Sequence, residues 1–369
     1  KPAEGLDLYL GMAHRKQYPE LTERAASKKF LSNMIFDGLM DEVKIYGRML
    51  SAAEIKSAFA AQQPSTPQPL QYRVLPSGPK GPRPFGAYYT RLVYCPEWDR
   101  IWRVGDFADV LVSFDELPVR LIFWRGTGYC PAWVTENGRW VSDQGPESWN
   151  AMGCCEHMSD KRCLFSHVRI LENTDARTVV HWRVASPDIT YNFNHVDPDT
   201  GWGEWTDEYY SIYPDAVAVR YQEVRSTWAA NSEWQQSELL NPPGTRPQDN
   251  VELEAMTILN MKGESESWSW ETPYGKRVPG SQPIQGGIIQ VMNLKSKQRH
   301  FVIGEPGARW QPFGFGAREG FTTMPCWNHW PVAQLPNDGR VTPAFDRPSS
   351  TCLGTLWPVK HKTDRPDVM

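Results

Sequence analysis

The sequence lacks any long hydrophobic run: no stretch approaches the ~20 apolar residues that a membrane-spanning helix needs, so we expect no membrane span. An excess of charge of either sign is also missing, since 39 Lys and Arg stand against 43 Asp and Glu, a net charge of -4. A nucleic-acid partner is therefore not expected, because phosphate binding requires a basic face.

Several motifs are absent as well. The chain has no Gly-rich phosphate loop, no nucleophile elbow and no H-E-x-x-H, which disfavours nucleotide binding, α/β-hydrolase and zinc-protease chemistry. Its seven Cys contain no C-x-x-C pair; we predict no metal-binding residues and no required cofactor, and a structural Ca²⁺ stays open. Pairing of Cys163 with Cys154 or Cys155 would close the easiest local disulfide loop, but the sequence does not fix the pairing or the oligomeric state.

Aromatic residues are abundant, with 17 Trp, 14 Tyr and 14 Phe. Most of them suit a β-sheet core, and the rest suit stacking on the C–H faces of sugars. Short strand-like runs separated by Gly, Pro, Asn and Asp cover residues 87–93, 108–114, 119–124, 132–134, 165–171, 178–184, 216–224, 252–259, 288–294 and 300–302. These runs predict an all-β fold, an antiparallel β-sandwich or jelly roll, over residues 85–369.

The N-terminal region has a different character. Residues 36–60 (FDGLMDEVKIYGRMLSAAEI and onward) predict a short strand with Val43, Ile45 and Tyr46, then a helix that Ser51 and Glu54 cap. This run resembles the closing strand and helix of laminin-G-like, concanavalin A-like jelly rolls. The resemblance implies a partial module over residues 1–61, followed by a Pro-rich linker over 62–84 and a catalytic domain over 85–369.

One hairpin carries the clearest chemical pattern. His167 and Arg169 alternate along one predicted strand, and His181 and Arg183 alternate along the next. If an odd number of residues separates the strands, all four side chains share one face, while Val168, Ile170, Val180 and Trp182 face the core. Such a cationic face suits carboxylates or sulfates; the alternative is a solvated surface without a role.

Other candidates lie in loops. A Gly-flanked loop presents Arg125, Tyr129 and Trp133, and His157 lies between acidic residues. Tyr210 lies in an aromatic run, and Asn328, His329 and Trp330 could form a sugar cradle. For each of these groups a purely structural role is the competing interpretation. The E-x-D-x-x-E pattern of laminarinase-like sandwich hydrolases does not occur.

Five longer runs are similar to a group of marine bacterial proteins, which we identify as the ulvan lyases or related polysaccharide lyases. They are FWRGTGYCPAWVTENGRW, EHMSDK, SHVRILENTDARTVVHWR, TGWGEWTDEYYSIYPDAVAVR and NHWPVAQLPNDGR. The resemblance implies a secreted enzyme, extracellular, periplasmic or on the cell surface, acting on an acidic and sulfated algal polysaccharide. It supplies no residue roles.

Elimination from a uronate needs a group that neutralises the carboxylate, a base and an acid. We assign Arg125 or Arg183 with a histidine to the first role. His167 or Tyr210, with His157 as the other candidate, would abstract the proton. The remaining substrate contacts are assigned to Arg169, His181, Tyr129, Trp133, Asn328, His329 and Trp330. The alternatives are a non-catalytic carbohydrate-binding protein, a glycoside hydrolase and a structural surface protein.

Overall fold

The structure is a computed structural model, and the part of the chain that it describes is discontinuous. Described residues are 43–62, 85–93, 107–145, 147–150, 153–160, 162–188, 191–226, 236–242, 244–269, 284–312 and 349–357. The predicted linker over 63–84, most of the predicted laminin-G-like module and the candidates Asn328, His329 and Trp330 lie outside these ranges.

The N-terminal described segment contains one helix, α1 (Ala52–Gln62). Its capping box forms as predicted: the Ser51 amide donates to Glu54 Oε2 at 2.8 Å, and the Glu54 amide donates to Ser51 Oγ at 3.3 Å. The predicted strand around Val43 and Ile45 is wrong, since residues 43–50 form no strand and these side chains are exposed. No described strand pairs with this run, so it has no ladder to join in that part of the chain.

The other described residues form three larger antiparallel sheets and one two-stranded hairpin. The large sheet has the order β1-β2-β3-β4-β5-β12-β18-β17. Its strands are β1 (Gly86–Thr90), β2 (Asp109–Ser113), β3 (Arg120–Phe123), β4 (Pro131–Val134), β5 (Trp140–Gln144), β12 (Gln236–Asn241), β17 (Arg309–Pro312) and β18 (Ser349–Trp357). The first five are joined in sequence order, as antiparallel neighbours with short connections usually are.

The second sheet has the order β11-β10-β9-β8 and the third β14-β13-β15-β16. Their strands are β8 (Ser166–Asn173), β9 (Thr178–Ala185), β10 (Trp205–Ile212), β11 (Ala218–Arg225), β13 (Val251–Asn260), β14 (Ser265–Trp268), β15 (Gly287–Leu294) and β16 (Phe301–Ile303). A hairpin of β6 (Ser148–Asn150) and β7 (Gly153–Cys155), 3₁₀ turns at Arg125–Thr127 and His157–Ser159, and the one-turn helix α2 (Pro247–Asn250) complete the described elements.

Both smaller sheets cover the same face of the large sheet. Cross-strand partners share a face, and the register links Val112 to Leu121, Leu121 to Trp133, Trp133 to Val141, and Val141 to Leu239. The first three pack in the core formed with β8–β10, whereas Val141 and Leu239 pack in the core formed with β13 and β15. The molecule is therefore a sandwich of one wide sheet against two narrow ones, and the predicted all-β antiparallel class is confirmed.

The cysteine prediction needs correction. Cys163 is buried and forms no disulfide; its thiol donates to the Arg125 carbonyl at 3.0 Å. Cys155 is also a buried thiol. Burial raises the pKa of both thiols, and nearby carboxylates add to the effect, so both stay protonated. The short sequence spacing of Cys155 and Cys163 was therefore no guide to bridging, because the 3₁₀ turn and loop between them separate the two side chains.

Candidate functional site

The His/Arg hairpin is formed by β8 and β9. His167 stands opposite Arg183, and Arg169 stands opposite His181. Directly opposed residues point to the same side of a sheet, so the four side chains share one face. Val168 stands opposite Trp182 and points the other way, into the core.

A β-bulge at Leu171 determines this arrangement. The turn between Asn173 and Thr178 holds four residues, an even number, which alone would put His167 and Arg183 on opposite faces. The register shifts between Ile170 and Glu172, so Leu171 is an extra residue and its side chain is 51% exposed. One inserted residue reverses the facing of every side chain beyond it, and the two His and two Arg are brought together.

Strands β10 and β11 extend the same face. Asp207 stands between Arg183 and Glu223, Tyr209 stands between His181 and Tyr221, and Trp205 stands next to Arg225. We name this surface the polar face. Its members are His167, Arg169, His181, Arg183, Trp205, Asp207, Tyr209, Tyr221, Glu223 and Arg225.

His181 is the best-supported side chain on the polar face. Its Nε2 lies 2.8 Å from Asp207 Oδ1, and the Arg169 Nε–H donates to its Nδ1 at 3.3 Å. Arginine can only donate, so Nδ1 accepts and the ring proton of neutral His181 is on Nε2, directed at Asp207. The Tyr209 ring stacks on the imidazole, with centroids 4.6 Å apart and planes 14° apart.

Asp207 is buried and remains ionised. Burial raises its pKa, but the hydrogen bond with His181 and the charges of Arg183 and Arg225 outweigh that effect, so the net pKa is below the ordinary value. Arg183 NH1 lies 3.6 Å from Asp207 Oδ2. A carboxylate that is ionised at neutral pH and hydrogen-bonded to an imidazole fixes its tautomer and stabilises it once it is protonated.

Aromatic rings flank the charged centre. The Arg183 guanidinium lies over the Trp205 ring at 5.0 Å, and Tyr221 is 61% exposed with its ring 6.1 Å from that of Tyr209. Trp205 is buried, so the exposed Tyr221 ring is the flat surface that suits stacking of a sugar beside the charged groups. The polar face can therefore bind an acidic saccharide and offers a base and a phenol beside it.

Tyr210 lies on the opposite side of β10 from Tyr209. It is buried, its ring packs edge-on against Phe123, and its hydroxyl donates to Glu208 Oε2 at 2.6 Å. Burial and the Glu208 charge hold its pKa well above the ordinary value. This placement argues against Tyr210 as the base that the sequence suggested, because strand alternation directs it into the core.

The Arg125 loop is part of the core too. Arg125 is buried and forms an ion pair with Asp109, whose other oxygen accepts the Arg125 amide at 2.7 Å. Tyr129 is buried and donates to the Ala108 carbonyl at 3.0 Å, and burial raises its pKa. Trp133 stacks on Phe114 between strands. The structural role that competed with substrate binding fits all three placements.

The remaining histidine candidates differ in exposure. His157 is fully buried, and its ring contacts Trp182 edge-on at 5.1 Å. His167 is half-buried on the polar face. The structure thus unites His167, Arg169, His181 and Arg183, and leaves Tyr210, His157, Arg125, Tyr129 and Trp133 apart from them.

Sequence reasoning gave no site role to Asp207 and Tyr209, which lie beside His181 on the polar face. Both residues belong to the run Trp205–Tyr210. Its odd-numbered and even-numbered positions each contain aromatic and polar residues, so no alternation of apolar and polar residues indicates which side chains share a face. A second group without an assigned role surrounds Glu204, which accepts from Ser148 and from Ser226 (2.7 Å) and pairs with His195 Nδ1 at 2.9 Å. These contacts anchor the loop that leads into β10.

Within the described ranges, no group of three or more His, Cys, Asp or Glu side chains is arranged to hold a metal ion. Likewise, no helix in those ranges has the length and apolarity needed to cross a membrane.

Comparison with known proteins adds little. No protein-family model matches the sequence, and no curated protein matches it significantly. Among solved structures, the chain is similar to galactose 1-epimerase from Lactobacillus acidophilus NCFM, with 9% identity over 74% of this chain and 98% of that chain, at a TM-score of 0.27. A TM-score this low supports no inference about activity, so the polar face has to be interpreted from its own chemistry.

Proposed function

We propose that the protein is a polysaccharide lyase that cleaves a uronate-containing polysaccharide by β-elimination on the polar face. The observation that carries the proposal is His181, held by Asp207 on one nitrogen, flanked by two arginines and stacked on Tyr209. This set contains each group that elimination requires.

The carboxylate of the uronate would be bound first. Arg169 is exposed, and Arg183 is half-buried above Trp205. Guanidinium groups bind carboxylates through paired, charge-assisted hydrogen bonds. Neutralising the carboxylate makes the C5 proton acidic, because the developing negative charge spreads onto the bound oxygens.

His181 then acts as the base. Its Nδ1 takes the C5 proton, the C–H electron pair forms the C4=C5 double bond, and the C4–O bond breaks with its pair on the leaving oxygen. The ring becomes an imidazolium, which Asp207 stabilises through the 2.8 Å hydrogen bond on Nε2. Asp207 is thus a positioning residue, because it acts through His181.

Tyr209 supplies the proton that the leaving oxygen needs. Burial raises its pKa, as do the charges of Asp207 and Glu223, so the phenol is protonated at neutral pH, the state from which an acid must start. Donation leaves a phenolate next to the imidazolium of His181. Proton return between these two stacked groups, directly or through water, restores the resting state, and the reaction consumes no other reagent.

Three matched variants test the assignment. His181→Gln and Tyr209→Phe should each lower the rate of unsaturated product, followed by its ultraviolet absorbance, by roughly 100-fold or more. The control is Tyr210→Phe, the neighbouring residue on the core side, which should keep the rate and lose stability through its bond to Glu208. Wild-type rates in both test variants would place the elimination site elsewhere.

A glycoside hydrolase is the second candidate, because Asp207 stands directly opposite Glu223. Opposed residues have Cβ atoms about 5 Å apart, and retaining glycosidases use carboxyl groups at a similar distance. Elimination is favoured because a hydrolase also needs an acid with a raised pKa, whereas the pKa of Asp207 is lowered and Glu223 is paired with Arg225. New reducing ends without ultraviolet absorbance, abolished by Glu223→Gln, would establish the hydrolase instead.

The finer substrate assignment is part of the proposal. Ulvan, a sulfated uronate polysaccharide, is favoured by the sequence resemblance, and the clustered arginines and histidines suit such a polyanion. Secretion is proposed on the same grounds. A screen of ulvan and other polyuronates for unsaturated products tests the substrate; binding without any product would identify a carbohydrate-binding protein.

A further inference from the structure

One hydrogen bond on the polar face occupies the nitrogen that the proposed base must use. The Arg169 Nε–H donates to His181 Nδ1, the nitrogen whose lone pair must take the proton. The other nitrogen is directed at Asp207. With both nitrogens engaged and Tyr209 stacked on the ring, His181 is only 5% exposed. In this arrangement the proposed base is therefore covered.

The hydrogen bond from Arg169 to His181 is weak, and the Arg169 side chain is exposed. Its 3.3 Å length exceeds the usual 2.9–3.0 Å of such bonds, so it is easily exchanged. Within the described ranges no carboxylate forms an ion pair with Arg169, and Asp207 on the same face is engaged by His181 and Arg183. A carboxylate arriving from solvent would offer Arg169 a charge-assisted, paired contact that a neutral nitrogen cannot match.

We propose that Arg169 is a specificity-determining gate, which a substrate's ionised carboxylate draws away from His181 and which a methyl ester leaves closed. This rests on the proposed lyase function and adds a consequence to it. Binding of the ionised uronate both neutralises the carboxylate and uncovers Nδ1. An esterified uronate is neutral and cannot draw the Arg169 guanidinium away from His181. Its C5 proton therefore faces an Nδ1 that is still hydrogen-bonded to Arg169.

Arg169→Met separates the gate from simple binding. With the carboxylate substrate, the variant loses a charge-assisted contact, and kcat/KM should fall by roughly ten- to a hundred-fold. With the methyl ester of the same polysaccharide, Nδ1 is open and no carboxylate needs neutralising, so kcat/KM should rise above that of the wild type. A residue that only binds substrate or supports the fold gives no such rise.

Arg177→Met is the matched control. Arg177 belongs to the same hairpin, but its guanidinium pairs with Glu172 near the turn, 2.5 Å from Oε2, away from His181. Both rates should stay at the wild-type level in this variant. Circular dichroism of each variant checks that the fold is retained; if Arg169→Met does not fold, Arg169→Gln replaces it, with loss on the carboxylate substrate and no loss on the ester expected.

A second measurement does not depend on turnover. In ¹⁵N-histidine-labelled protein, with His181→Gln used for assignment, the Nδ1 shift should change on addition of a uronate oligosaccharide prepared from ulvan. The same oligosaccharide after methyl esterification should leave it unchanged. The gate is refuted if Arg169→Met loses activity equally on the carboxylate and the methyl-ester substrates, or if the Nδ1 chemical shift does not change when the uronate is added. Either result leaves the lyase assignment unaffected. Absence of unsaturated product in the wild type overturns the lyase assignment, and the Nδ1 shift then decides the gate alone.

Discussion

Replacing Arg125 by Met tests whether this arginine belongs to the core or to the site. Arg125 is 5% exposed and Asp109 is 0% exposed, and the two form an ion pair. Asp109 also accepts the amides of Leu92 (2.6 Å) and Arg125 (2.7 Å), which the substitution leaves in place. Removing one partner of a buried pair leaves an uncompensated charge, so the free energy of unfolding should fall by about 3–5 kcal/mol.

The partner substitution completes the cycle. In the double variant Asp109→Asn with Arg125→Met, neither of these two positions carries a charge. The Asn oxygen still accepts a backbone amide. The double variant should therefore lose less than the sum of the single losses, by about 2–3 kcal/mol. Urea unfolding followed by tryptophan fluorescence measures this difference. If Arg125→Met keeps wild-type stability but no longer forms product, the arginine contacts substrate and the core assignment fails.

Three further outcomes follow from buried polar groups and backbone conformation. Because the folded-state pKa of Asp207 is lowered, its stabilisation is present above the ordinary carboxyl pKa near 4 and is lost as the pH falls through the folded value; urea unfolding against pH should show this loss in wild type and not in Asp207→Asn. Burial raises the pKa of Asp160 to about 6, so stability should fall as the pH rises from about 4 past 6, and Asp160→Asn should remove that slope. Gly128→Ala should lower the thermal midpoint more than Gly138→Ala. Both glycines have positive φ, but only at Gly128 does a Cβ approach the His157 carbonyl oxygen, at 2.7 Å; equal shifts would contradict this.

The all-β fold class could be predicted from the local sequence pattern, but some individual strands could not. All ten predicted runs overlap strands, because short runs between turn residues are a strong signal. Strand β10 was missed: Trp205, Asp207 and Tyr209 on one face are interleaved with Thr206 and Tyr210 on the other, and neither face is purely apolar. A strand with aromatic and polar residues on both faces has no alternation to read.

The candidate loops were misjudged for a related reason. Arg125 and Tyr129 have residue types that suit binding, and sequence gives no sign that Asp109, sixteen residues earlier, neutralises the arginine in the core. Pairing of a buried charge depends on which strands are neighbours. That information is carried by the register of β2 with β3 and is not local.

The polar face depends on a single residue count that no periodicity reveals. A four-residue turn predicts that His167 and Arg169 face away from His181, and only the extra residue Leu171 reverses this. The same bulge directs Val168 to the core, so correct burial and the assembled site have one structural cause. Sequence reasoning could identify the residue types and state the condition that an odd number of residues must separate the two strands. Only the three-dimensional register shows that the condition is met. It also pairs His181, the proposed base, with a carboxylate from a strand that the sequence did not reveal.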